Sequence, residues 1–138
     1  MDQQFLHCSV PISPAVDAHI PVLHRIDLIT VRLPFVKPFA TSVHTWAVKE
    51  ALLLRLESDG VVGWGECVAD PDPFYASETT QTVRHIFKEF LLPLLTPGQT
   101  IGELLKRWSP VRGHGMAKAM VENALLDLIA RQQDRPLH

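Results

Sequence analysis

Between Leu56 and Val62 this 138-residue chain carries Ser58-Asp59-Gly60, and that tripeptide limits the fold more than any other feature. Asp-Gly is favoured where a two-residue hairpin turn needs positive φ. On one side of it Leu52, Leu54 and Leu56 share a face and Arg55 and Glu57 the other, the period-2 pattern of a half-buried strand. On the other side Val62 to Val68 reads as a second strand, in which Gly63 and Gly65 flank Trp64 and mark close approach of another backbone or a bend. So short a connection permits only antiparallel pairing, because a parallel crossover needs a dozen or more residues. Upstream, Ile29, Val31 and Leu33 alternate with Thr30 and Arg32, predicting a further half-buried strand from Arg25 that Pro34 and Pro38 end. The segment Lys37 to Trp46 then reads as an exposed loop.

After Pro71 and Pro73 the period becomes helical. Val83, Ile86, Phe87, Phe90 and Leu91 fall on one apolar stripe, with Ser77 as N-cap and Glu78 in the first turn. Pro93 and Pro97 stop that helix. A shorter one, capped by Thr100, carries Ile101, Leu104, Leu105 and Trp108. Pro110 and Gly113 break the chain again, and a third helix is predicted from Met116 to Gln132 with Val121, Ala124, Leu125 and Leu128 inward. Such a stripe cannot hold up an isolated helix, so the helices must pack on the sheet. The expected fold is α+β: a three-stranded antiparallel meander followed by a three-helix bundle.

Residues 1–24 read as an irregular leader, since Pro11, Pro14 and Pro21 leave no usable period, and residues 25–138 as one domain. The first residues have neither a basic start nor an unbroken apolar run, which argues against a signal peptide. No apolar stretch approaches a membrane span. A soluble, cytoplasmic protein is expected. The net charge of −2 gives no basic face for nucleic acid or an anionic membrane. Cys8 and Cys67 are too few for a disulfide framework and read as reduced thiols. His7, His19, His24, His44, His85, His114 and His138 are scattered without metal-ligand spacing.

Four segments occur in order: Pro38-Phe39-Ala40-Thr41-Ser42, Gly63-Trp64-Gly65-Glu66-Cys67, Tyr75-Ala76-Ser77-Glu78, and Gly113-His114-Gly115-Met116-Ala117-Lys118. The last continues through Val121-Glu122-Asn123-Ala124-Leu125-Leu126-Asp127. Together they resemble the o-succinylbenzoate synthase and N-acylamino acid racemase branch of the enolase superfamily, over residues 25–138. The resemblance implies a capping domain that leans over a TIM-type barrel. The barrel would supply a lysine pair as acid and base and the acidic ligands of a magnesium ion. It further implies a small carboxylate substrate and a homo-oligomer for the full-length enzyme, with this chain's partner being its own barrel. No such barrel is expected within these residues, since one needs about 250, so no catalytic residue and no metal are assigned to this chain.

The resemblance also implies substrate contacts. The loop after the first strand would close over the substrate through Phe39, Thr41, Ser42 and Val43, and a second loop, Val68 to Tyr75, would border the pocket through Asp70 and Tyr75. Relatives often carry an aromatic residue and then glycine where this chain has Val43 and His44, and an apolar residue at Asp70. Packing within the domain is the alternative for Phe39, Val43 and Tyr75. Glu66 reads as a structural hydrogen-bonding group, Glu122 and Asp127 as helix-face residues, and His114 as a helix-start residue. Lys118 could act as a base only with a partner. Three readings stay open: part of a magnesium-dependent dehydratase or racemase, a stand-alone interaction module, or a non-functional remnant.

Overall fold

The computed structural model describes residues 14–42 and 44–137. The readings of His7, Cys8, Pro11, Val43 and His138 lie outside the described residues. Three strands, β1 (Arg25–Ala40), β2 (Thr45–Ser58) and β3 (Val61–Cys67), form one antiparallel sheet in the order β1-β2-β3. Asp59 and Gly60 both take positive φ, 49° and 78°, so the β2–β3 turn is of the primed kind whose twist matches that of the strands. The meander is the expected one.

The inward face of β1 is the reverse of the expectation. Directly paired residues share a face, and Leu28 pairs with Leu54 and Ile26 with Leu56. Leu52, Leu54 and Leu56 are fully buried, and Ile26 and Leu28 pack against their cluster. Ile29, Val31 and Leu33 pair with Leu53, Ala51 and Lys49 on the opposite face, where Ile29 and Leu33 are exposed. Alternation fixes a period but not which of two apolar faces is the inner one.

Nor do Pro34 and Pro38 end the strand. β1 continues to Ala40 across a register shift between Pro34 and Phe39. It is an edge strand, where proline is tolerated because its missing N–H need not face a neighbour. The expected loop from Lys37 to Trp46 is therefore largely the far end of a long hairpin. Its turn is closed by the Thr41 N–H donating to the His44 carbonyl at 2.8 Å.

Helix α1 (Thr80–Ile86) is capped by Thr79, not Ser77. Thr79 and Thr82 exchange the reciprocal side-chain-to-backbone hydrogen bonds of a capping box. The helix then widens into a π turn (Phe87–Leu91) and tightens into a 3-10 turn (Leu92–Leu94). Val83, Phe87 and Leu91 are buried, but Phe90 is exposed. A strict 3.6-residue stripe assumes one uninterrupted helix, and the wider turn rotates Phe90 out of it. Helix α2 (Ile101–Trp108) has the expected Thr100 cap, reinforced by Glu103, and buries Ile101, Leu104 and Trp108. Helix α3 (Gly115–Gln132) buries Val121, Ala124, Leu125 and Leu128 as expected, with Met120 and Ala117 beside them.

Helix α3 lies directly on β3, and two glycines let it do so. A Cβ on Gly65 would stand 2.0 Å from the Met120 carbonyl oxygen, and one on Gly63 2.5 Å from both the Ala124 oxygen and Leu128 Cβ. Polar contacts pin the same interface: Asp127 Oδ2 accepts the Trp64 N–H at 2.9 Å, and Gln132 Nε2 donates to the buried Ser58 Oγ at 3.1 Å. Part of the leader packs on this body. The Ile20 N–H donates to the Gln99 oxygen and its own carbonyl accepts from Gly98, which buries the Ile20 side chain in the core.

Candidate functional site

The tip of the β1–β2 hairpin and the loop from Val68 to Thr79, which leaves β3, rise at the same end of the sheet. Between them lies a cleft of about 420 Å³. Phe35, Phe39, Thr41 and Trp46 form the hairpin wall, while Val68, Ala69, Asp70, Tyr75 and Ala76 form the loop wall. Met116 at the start of α3 completes that second wall, and Lys49 of β2 lies between the two.

Aromatic contacts order the hairpin wall and join it to the loop at one point. Phe39 lies 6.1 Å from Trp46 between ring centroids, and His44 meets Trp46 edge-on at 4.8 Å. His44 also stacks on Phe74 at 5.3 Å, so the hairpin tip touches the loop opposite. Besides Thr41, the Tyr75 hydroxyl and the Trp46 ring N–H, the polar lining of the cleft is one ion pair. Lys49 Nζ donates to Asp70 Oδ1 at 2.7 Å and to the Val68 carbonyl at 3.1 Å, with both side chains partly buried. The Trp46 Nε1 is buried and has no acceptor among the described residues. A concave apolar surface with one fixed charged pair is suited to covering an organic ligand and excluding water from it.

Of the residues singled out in the sequence, Phe39, Thr41, Asp70 and Tyr75 converge on this cleft. Thr41 Oγ1 also accepts from the His44 N–H at 3.2 Å within the hairpin turn. Ser42 lies exposed in that turn and does not line the cleft. Val43 lies outside the described residues. Trp46, Lys49, Phe35 and Met116 were not foreseen. Lys49 was within reach of the sequence, because counting outward from the two-residue Asp59-Gly60 turn brings it opposite Asp70.

The remaining polar candidates serve the framework or the solvent. The Glu66 side chain is exposed on the face away from α3, and no hydrogen bond from it is present among the described residues, contrary to its expected structural role. Lys118 Nζ donates to the Val111 carbonyl just ahead of α3. Asp127 ties α3 to β3 and pairs with Arg131 at 3.0 Å. His114 stands at the N-cap of α3 with a left-handed backbone, φ 54°, and makes no side-chain cap hydrogen bond. Cys67 is a free buried thiol ending β3, and burial pushes its pKa up. Among the described residues no three His, Cys, Asp or Glu side chains converge as a metal site, so these residues do not fit a magnesium ion. Among the same residues no helix is long and apolar enough to cross a membrane.

The family model for the mandelate racemase / muconate lactonizing enzyme N-terminal domain matches residues 25–138. An o-succinylbenzoate synthase from Geobacillus kaustophilus is 44% identical over 103 residues, covering 72% of this chain and 28% of that protein. An N-succinylamino acid racemase from Amycolatopsis sp is 36% identical over 115 residues, covering 82% of this chain and 31% of the relative. A crystal structure of an enolase-superfamily member from Listeria innocua superposes with a TM-score of 0.78 at 35% identity, over 86% of this chain and 33% of that one. The chain thus spans about a third or less of the length of each.

Proposed function

The chain belongs to the mandelate racemase / muconate lactonizing enzyme N-terminal domain family, and from that premise we propose that it is the substrate-capping domain of an o-succinylbenzoate synthase-like enzyme. The observation that carries the proposal is the cleft. Its two walls come from the two loops that would face a barrel, and its lining joins Phe39, Trp46 and Tyr75 with the Lys49–Asp70 pair. These groups would shield a small carboxylate substrate from water while chemistry proceeds on groups outside this chain. Excluding water strengthens the electrostatic contacts made at the reacting centre. The proposed parent reaction is the magnesium-dependent syn-dehydration of menaquinone biosynthesis, in a cytoplasmic homo-oligomer. The metal would supply charge stabilisation as a proton leaves the carbon beside the carboxylate. Its ligands and the acid and base are assigned to groups outside this chain.

A second reading rests on the Amycolatopsis relative, whose name assigns it racemisation of N-succinylamino acids. Dehydration and racemisation can begin with the same proton abstraction, so the cleft serves both. A chimera separates them. This chain replaces the matching segment of the Geobacillus kaustophilus synthase, and the purified product is assayed with magnesium for dehydration and for racemisation of an N-succinylamino acid. Activity in the chimera, with KM raised by Phe39→Ala or Tyr75→Ala, supports the capping role. A folded chimera inert on both substrates, or turnover by this chain alone, would overturn it.

A further inference from the structure

Helix α3 runs for 18 residues, and its N-cap, His114, offers its first-turn amides no side-chain acceptor. Such amides need an outside partner, and a carboxylate is the best one, since it also meets the positive end of the helix dipole. The partner lies 38 residues back in the sequence. Glu78 Oε1 and Oε2 accept the Met116 N–H at 3.0 and 3.1 Å, and Oε2 also accepts the Ala117 N–H at 3.2 Å. Glu78 follows Tyr75 and Ala76, which line the cleft, and the first amide it holds belongs to Met116, which lines it too.

We propose that Glu78 is the positioning residue of the cleft: its carboxylate fastens the Val68–Thr79 loop to helix α3 and sets Tyr75, Ala76 and Met116 as one wall. Lys49 holds Val68 and Asp70 at the near end of the loop, and the Thr80 N–H, donating to the Asp70 carbonyl at 3.0 Å, closes its two ends on each other. Its far end is fixed to α3 by Glu78. Between these anchors Phe74 is steadied by its stack on His44, whereas Tyr75 is 83% exposed, so the position of Tyr75 depends on where the two ends are held. Thr79, the next residue, caps α1 and not α3, so the two adjacent side chains separate loop positioning from helix stability. That this wall faces a substrate rests on the capping-domain reading; that Glu78 places the wall does not.

The test needs no ligand, so it stands apart from the fate of that reading. Tyr75 is the sole tyrosine, and 3-fluorotyrosine labelling gives one 19F resonance from the cleft wall. The 138-residue chain is compared with Glu78→Gln and Thr79→Val by that resonance and by amide hydrogen exchange. Glu78→Gln is expected to move the Tyr75 resonance toward that of the unfolded chain. It should also speed exchange at Met116 and Ala117 by about tenfold or more, the factor that ~1.4 kcal/mol represents, with Leu125 and Leu128 unchanged. Thr79→Val should lower the melting temperature and leave the Tyr75 resonance in place. An unmoved Tyr75 resonance in Glu78→Gln overturns the proposal. So does a shift without faster exchange at Met116 and Ala117, or an equal shift in Thr79→Val. Should Glu78→Gln not fold, Glu78→Asp, which keeps the charge and shortens its reach, is read by the same signals.

Discussion

Replacing Gly65 by alanine tests the packing of α3 on the sheet at its closest point. The added Cβ would stand 2.0 Å from the Met120 carbonyl oxygen, 2.9 Å from the Ala124 nitrogen and 3.0 Å from Ala124 Cβ. A carbon and a carbonyl oxygen normally stay about 3.3 Å or more apart, so the helix has to retreat by about 1 Å. A gap of that size forfeits a quarter to a half of each dispersion contact across it. Four large side chains on α3, Met120, Val121, Leu125 and Leu128, are fully buried, and each contributes roughly 1.5–3 kcal/mol. Losing about a quarter of that, with the strain of overpacking, gives a destabilisation of about 3–4 kcal/mol. This is a large share of the roughly 5–15 kcal/mol that a domain has in all.

Gly60 is the control. It has φ of 78° and open space around its Cα, so Gly60→Ala should cost only the left-handed backbone penalty of about 1–2 kcal/mol. Urea unfolding followed by tryptophan fluorescence and far-UV circular dichroism gives both values. Gly65→Ala losing no more than Gly60→Ala would refute the close-approach argument.

The other expectations are smaller. Asp127→Ala removes the acceptor of the Trp64 N–H and the partner of Arg131, and should lower stability by about 1–2 kcal/mol in the same urea assay. Asp27 is held below the usual carboxylate range first by its hydrogen bond to Arg25, Glu50 by that to Arg32, and Glu103 by the Thr100 backbone N–H. In each case the unfolded state binds protons more readily. The stability they give is therefore complete above the ordinary carboxylate range and is lost as pH falls through about 4 and below. The urea midpoint should be flat from about pH 7 to 5 and then drop, and Arg32→Met should make that drop shallower. In a Cys8→Ser background, iodoacetamide at about pH 8 should alkylate Cys67 at least about tenfold more slowly in the folded than in the urea-unfolded chain, as burial holds the thiol protonated. Equal rates would contradict its burial.

The sequence was most legible where a single local rule decides. Asp59-Gly60 fixed the β2–β3 hairpin, Thr100 the start of α2, and Gly63 and Gly65 the place where another backbone comes close. It was least legible where a choice belongs to partners distant in the chain. Ile29, Val31 and Leu33 alternate as well as Ile26 and Leu28 do, and only pairing with the leucines of β2 selects the second set. Ser77 and Thr79 are both competent caps, and the choice follows from Thr82 being three residues beyond Thr79 and from Glu78 turning toward α3. Within the cleft, Phe39, Asp70 and Tyr75 came from the family resemblance. Trp46 was hidden because its segment read as a loop, although it lies in β2 opposite Phe39.

The register shift between Pro34 and Phe39 has a consequence for how such a domain can diversify. Pro34 lies opposite Val48 and Phe39 opposite Trp46, so the four residues Phe35 to Pro38 have only Ala47 across from them. The slack is taken up there, and the hairpin beyond it keeps its own pairing. Residues can be added or removed at the tip without sliding Ile26 and Leu28 out of line with the leucines beneath them. The distal hairpin is in effect an exchangeable cassette, free to vary in length and lining while the body that carries it stays the same.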